Sequence, residues 1–203
     1  MRVRAAGLGL VAVAALCGRA PVVAAAPAYA VVPARSSLSF VGTQQGEKFT
    51  GQIPGFDAKV RYAADDLAGS SLEVTIRIAT LDSHSPDRDQ AVAGVDWFDF
   101  AKFPAATFRT VAIRATATGP VADADLTIKG VTRRILFPFA WTVGSGGATL
   151  DAHVTLNRLD FGIGAGEWTD DSVVGRTVEV TVHLSLTPVA ESAPPAAPPK
   201  QRS

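Results

Sequence analysis

Cysteine is almost absent from this sequence, because Cys17 is the only one among 203 residues. It lies in an apolar N-terminal stretch that we expect to be removed, so the mature chain would contain no thiol. This excludes disulfides, thiolate metal sites and cysteine nucleophiles from any mechanism. Lipidation at Cys17 is not expected either, since Leu16 stands where a lipoprotein signal has a small residue.

Histidines and recognisable catalytic motifs are also scarce. His84, His153 and His183 are scattered, and the last two fall on the polar phase of predicted strands. No HExxH pair, serine elbow or phosphate-binding loop is present. The acidic residues around His84 lack calcium-loop spacing and are explained by the start of a helix. We therefore predict no catalytic residue, no metal and no enzymatic activity.

No excess of one charge is present, since 19 basic residues balance 19 acidic ones. Loss of Arg2, Arg4 and Arg19 with the N-terminal stretch would leave the mature chain slightly acidic. A nucleic-acid partner is therefore not expected.

Residues 1–30 have the form of a secretory signal. Arg2 and Arg4 precede an apolar run of about a dozen residues, which is too short to be a convincing membrane span. We expect cleavage after Ala30, where small residues surround Tyr29, and a periplasmic location. A cut after Ala26 is disfavoured because Pro27 would follow the scissile bond.

The other end of the chain is rich in proline and alanine. Residues 190–203 contain almost nothing to bury, which predicts a disordered tail. The remaining segment, residues 31–189, has the length of one domain.

Alternation of apolar and polar residues indicates a mainly β domain. Leu72, Val74 and Ile76, for example, alternate with polar residues, as in a strand with one buried face. Periodicity alone fits either a sandwich or a closed barrel, and a barrel of about eight strands can hold one small ligand. We predict eight strands, at residues 37–41, 56–62, 72–80, 106–117, 122–129, 131–143, 149–157 and 176–187.

The stretch of residues 82–108 interrupts this alternation. Ser85 can cap a first helical turn and Pro86 suits the first helical position, whereas Gly94 limits the helix to about three turns. We expect a short helix that covers an apolar surface with the aromatic residues Trp97, Phe98, Phe100 and Phe103.

Two other segments have open interpretations. Residues 135–141 are apolar on both faces, which fits either tight packing under the helix or the wall of a lipid cavity. Residues 156–168 contain three glycines, which fits a structural corner. The alternative is that Arg158 binds an anionic head group there.

Three segments together resemble the YceI-like family of periplasmic isoprenoid-binding proteins. They are RDQAVAGVDWFDFAKFPAATF at 88–108, LTIKGVTRRILFPF at 126–139 and LNRLDFGIGAGEW at 156–168. The resemblance implies an eight-stranded antiparallel lipocalin-like β-barrel, with the short helix between strands closing or flanking it. It also implies a long isoprenoid lipid in an apolar cavity and does not imply an enzyme. We expect no cofactor other than a bound lipid.

One part of the sequence departs from the commoner family pattern. Residues 41–51 are shorter than usual and resemble relatives found beside membrane b-type cytochromes. This favours an isoprenoid quinone over a polyprenyl phosphate as the ligand, and a membrane cytochrome as a partner. The oligomeric state stays open, with a dimer among the options.

The candidate lining residues of the cavity are those that face inward on the predicted strands, together with residues of the aromatic stretch. Arg158 is the candidate for binding a head group. Alternation does not separate cavity lining from packed core. The lining candidates are Phe40, Phe56, Val60, Val74, Ile76, Ile78, Trp97, Phe98, Phe108, Ile128, Phe139, Trp141, Phe161, Trp168, Val180 and Val182.

The leading hypothesis is a periplasmic carrier of a long-chain isoprenoid lipid. One alternative is a non-catalytic module that docks on a membrane b-type cytochrome without carrying lipid. A second alternative, disfavoured by the missing motifs, is a hydrolase or lyase that uses Asp99, Arg158 and Asp160.

Overall fold

Ten antiparallel strands form one sheet in the computed structural model, which describes residues 26–190. One α-helix, α1 (Pro86–Val92), joins the fifth and sixth of these strands. The strands are β1 (Ala28–Val31), β2 (Ser37–Gln44), β3 (Glu47–Gln52), β4 (Phe56–Arg61), β5 (Ser71–Arg77), β6 (Ala105–Thr116), β7 (Gly119–Ile128), β8 (Val131–Gly144), β9 (Gly147–Asn157) and β10 (Thr177–Pro188).

The sheet closes into a barrel because β10 has neighbours on both sides. It pairs with β9 along one edge, and its other edge pairs first with β2 and then with β1. Since β1 also pairs with β4, the closed ring runs β1-β4-β5-β6-β7-β8-β9-β10, and the β2–β3 hairpin extends from it. The predicted closed eight-stranded antiparallel barrel with a short helix is therefore confirmed for the described residues.

Strand β1 lies in the segment that the sequence analysis assigned to the leader. Tyr29 pairs with Val60 of β4 and with Pro188 of β10, so β1 bridges the seam of the barrel. Ala26 is buried, and its carbonyl accepts a hydrogen bond from Arg61 Nη1 at 2.7 Å. A cut after Ala30 would remove three of the four residues of β1 and conflicts with this fold. The other residues of the expected leader, 1–25, and residues 191–203 of the expected tail lie outside the described part of the chain.

Strand β3 is the second strand that the sequence analysis did not predict. Its residues, EKFTGQ, are mostly polar, and only Gly51 among them is buried. Apolar and polar residues therefore do not alternate along β3, and strand prediction depends on that alternation.

One end of the barrel is closed by an aromatic plug, which consists of Tyr29, Tyr62, Phe139 and Trp141. The ring of Trp141 lies 5.0 Å from that of Tyr29 and 4.6 Å from that of Tyr62, between ring centroids. Phe139 lies 5.5 Å from Tyr62 in an edge-on arrangement. Such contacts stabilise a pair of aromatic rings beyond the area they bury. These four rings therefore pack against one another at this end of the barrel.

Helix α1 lies at the other end, where local sequence determines its start. The Ser85 side chain caps the first turn by accepting a hydrogen bond from the Arg88 N–H, and Pro86 is the first helical residue. Val92, the last residue of α1, is buried and faces the barrel interior. The predicted helix start is confirmed, and the helix covers the end opposite to the plug.

Helices long and apolar enough to cross a membrane are not found among residues 26–190.

Candidate functional site

An apolar cavity of about 230 Å³ lies inside the barrel, between the aromatic plug and α1. Every strand from β2 to β10 contributes to its wall. Within the described part of the chain, no aspartate, glutamate, lysine or histidine lines the cavity, and its only charged lining residues are Arg88 and Arg158. The volume is smaller than the roughly 300–1,000 Å³ that is typical of small-molecule sites. This space suits a slender apolar molecule.

Most of the predicted lining residues do border this cavity. Many are only partly buried although they face inward, because they are exposed to the empty space rather than to packed neighbours. Whether each of them contacts a ligand stays a prediction. The residues that border the cavity are Phe40, Phe56, Val60, Val74, Ile76, Ile78, Trp97, Phe98, Phe108, Ile128, Phe161, Val180 and Val182.

Three predicted lining residues lie elsewhere. Phe139 and Trp141 belong to the aromatic plug, one step further along β8 than the cavity. Trp168 lies in a 3-10 turn and packs against Trp97, with 5.7 Å between ring centroids. Alternation identifies the inward face of a strand, but it does not show how far along the barrel the cavity extends.

Some lining residues were missed by the sequence analysis. Phe137 and Ile135 share the inward face of β8 with Phe139, so the same alternation could have identified them. Phe49 lies on β3, which the sequence did not reveal as a strand. The sequence analysis includes Arg88 only within a family motif. A single charged residue on a short helix forms no sequence pattern that would indicate a cavity-lining role.

Arg158 is held by the protein backbone rather than left available to a ligand. Its side chain is buried, and burial lowers the pKa of the guanidinium, while nearby Asp171 acts in the opposite direction. All five of its N–H groups have carbonyl acceptors. Nε donates to Gly175 O at 3.1 Å, Nη1 donates to Ile163 O at 2.8 Å and Gly164 O at 2.7 Å, and Nη2 donates to Val174 O at 2.8 Å and to Trp168 O.

The predicted head-group role of Arg158 therefore conflicts with its geometry. A head group could bind there only if one of these buried carbonyls lost its donor. We describe Arg158 instead as a clamp that fixes residues 163–175 against the barrel.

The residues suggested for hydrolase or lyase chemistry do not form a catalytic group. Asp160 accepts a hydrogen bond from Asn157 Nδ2 at 3.1 Å, and Arg158 is bonded to carbonyls. Within residues 26–190, no hydrogen bond or ion pair joins Asp99 to either of them, and no group of three or more histidine, cysteine or acidic side chains is placed to hold a metal.

Comparison with known proteins gives one family. The model of the YceI-like domain matches residues 29–186, so the match begins inside β1. A UPF0312 protein of Shewanella denitrificans is 31% identical over 115 residues, which cover 56% of this chain and 60% of the relative. A UPF0312 protein of Pseudomonas putida strain W619 is 31% identical over 121 residues, covering 56% and 62%. The matches thus span about three fifths of the length of these curated relatives.

Solved structures agree with the barrel. BcnA of Burkholderia cenocepacia is 33% identical with a TM-score of 0.72, and the match covers 76% of this chain and 98% of BcnA. A polyisoprenoid binding domain from Saccharophagus degradans, implicated in plant cell wall breakdown, has a TM-score of 0.63 at 15% identity and covers 80% and 99%. At that identity the second likeness concerns the fold alone.

Proposed function

Because the chain belongs to the family of YceI-like domains, we propose that it binds a long-chain isoprenoid lipid, a polyprenyl lipid or an isoprenoid quinone, inside its barrel. The observation that carries the proposal is the apolar cavity inside the barrel, with the aromatic plug beyond one end of it. An isoprenoid tail is a slender hydrocarbon, and each Å² of it removed from water contributes about 25 cal/mol. The structural relative from Saccharophagus degradans, which shares the fold, is itself described as a polyisoprenoid binding domain.

This function is one of binding or transport without catalysis. The cavity wall offers two arginines and hydroxyl groups, but no acid–base pair within the described residues. General acid–base chemistry needs a titratable group near the reacting atoms. A docking module that carries no lipid would have no use for a cavity of this size, so the carrier is the better supported of the two binding functions.

Lipid binding can be tested directly on purified protein. Native mass spectrometry, followed by extraction of the denatured protein, should reveal a bound isoprenoid or uptake of an added polyprenol or quinone. A protein that is always empty and takes up neither lipid would contradict the proposal.

Filling the cavity should prevent binding. Val154 on β9 borders the cavity, whereas Thr155 beside it points to solvent. We expect Val154→Phe to weaken polyprenol binding at least tenfold, because the added ring occupies the space of the tail, and Thr155→Phe to leave it unchanged. Calorimetric titration of both variants, with their melting temperatures as a check on folding, would measure this. Equal affinities would place the lipid elsewhere.

We also propose that the chain is exported to the periplasm and that its leader is removed before Ala26. The burial of Ala26 and the pairing of β1 with β4 and β10 support this position of the cut. A cut after Ala25 leaves Val23 and Ala25 at the positions that signal processing recognises, and it keeps Pro27 away from the scissile bond. The intact mass of protein recovered from the periplasm should correspond to a chain that begins at Ala26. A mass that begins at Val31 would contradict this.

A further inference from the structure

Arg88 on α1 is the second arginine that borders the cavity, and its guanidinium is firmly positioned. The Cζ atom lies 3.8 Å from the centroid of the Phe49 ring, which places the cation against the aromatic face. Nε donates to Gln44 Oε1 at 3.1 Å, and Nη1 donates to Ser83 O at 3.0 Å and to Ser83 Oγ at 3.2 Å. These contacts hold the side chain in one orientation.

One edge of this guanidinium is unused. All five N–H groups of Arg158 donate hydrogen bonds to carbonyls. In contrast, Nη2 of Arg88 has no acceptor among residues 26–190. Of the two arginines that border the cavity, Arg88 is therefore the one whose N–H groups are not all donated to acceptors within that range.

The charge of Arg88 is also uncompensated. Its neighbour Asp89 is occupied by Ser83, whose N–H and hydroxyl both donate to Asp89 Oδ1, at 2.9 Å and 2.6 Å. In the described part of the chain no carboxylate lies within ion-pair distance of Arg88, and none lines the cavity. Arg88 therefore offers, at the border of the apolar space, a positive charge that an anion could neutralise.

We propose that Arg88 binds the phosphate of an isoprenoid phosphate whose tail extends toward the aromatic plug. This assignment rests on the proposed lipid-binding function. A phosphate accepts two parallel hydrogen bonds from a guanidinium and neutralises its charge. A quinone carbonyl could accept a hydrogen bond but would leave the charge unpaired. The geometry thus favours a phosphate over the quinone that the sequence of residues 41–51 suggested.

Three probes with the same tail of three isoprene units test the assignment: farnesyl phosphate, farnesol and a ubiquinone with a farnesyl tail. We expect the mature wild-type protein to bind farnesyl phosphate at least tenfold more tightly than farnesol or the quinone. Salt should reduce this preference, because it screens the phosphate–guanidinium attraction. Calorimetric titration at low and high ionic strength measures both effects without any substitution.

Variants then test whether Arg88 causes the preference for farnesyl phosphate. Arg88→Gln should lose the tenfold preference for farnesyl phosphate over farnesol, and Arg88→Lys should keep part of it. Arg109→Gln is the matched control, because Arg109 pairs with Glu73 on the outside of the barrel. Farnesol binding without a phosphate preference, or a preference that survives Arg88→Gln, would overturn the assignment alone. Failure of all three probes to bind would overturn the proposed function together with it.

Discussion

Replacing Arg158 by methionine should destabilise the protein by about 3–5 kcal/mol, because several buried carbonyls lose their donor and each unsatisfied buried polar group costs about 1–3 kcal/mol. The methionine fills a similar volume but donates no hydrogen bond, so the carbonyls that Arg158 now satisfies are left without a donor. Equilibrium unfolding in urea would measure the difference in unfolding free energy. A loss below about 1 kcal/mol would contradict the role of Arg158 as a clamp.

Arg176 provides the matched control for this experiment. It is an exposed arginine that pairs with Asp171 at the surface, and Arg176→Met should cost no more than about 1 kcal/mol. Arg158→Lys should recover only part of the lost stability, because an ammonium group has three N–H donors and lacks the planar fork of a guanidinium.

A chain that starts at Val31 should fail to form a stable barrel, whereas one that starts at Ala26 should fold normally. The shorter chain lacks Tyr29, whose half-buried ring packs on Trp141 in the aromatic plug, and its loss costs less than the roughly 3–5 kcal/mol of a fully buried aromatic side chain. It also leaves β4 and β10 with unpaired edges at the seam, which favours aggregation. Thermal unfolding by circular dichroism and size-exclusion chromatography would show both effects.

Truncation at the other end is the control. A chain that ends at Ala190 removes residues beyond the last strand and should melt at the same temperature as the full mature chain. A chain from Val31 that melts at that temperature as well would show that β1 is dispensable, and a cut after Ala30 would again be acceptable.

Much of the fold could be predicted because it depends on local patterns. Ser85 and Pro86 start α1 through contacts within one helical turn, and the alternation through Val74 and Ile76 shows which face of β5 is buried. The small residues of β1 resemble a cleavage site as much as a strand. Only its pairing with two distant strands shows that Ala28 and Tyr29 belong to the barrel.

The sequence by itself therefore determined the position of the helix and the inward face of most strands, since each follows from neighbouring residues, and its resemblance to a family implied the barrel that the alternation left open. Only the tertiary structure showed which inward residues line the cavity and which belong to the aromatic plug, because these roles depend on the position of each residue along the barrel axis. It also decided the roles of the two arginines. Both border the same apolar space, but Arg158 meets carbonyls that only the folded chain brings together, and Arg88 keeps an unused edge.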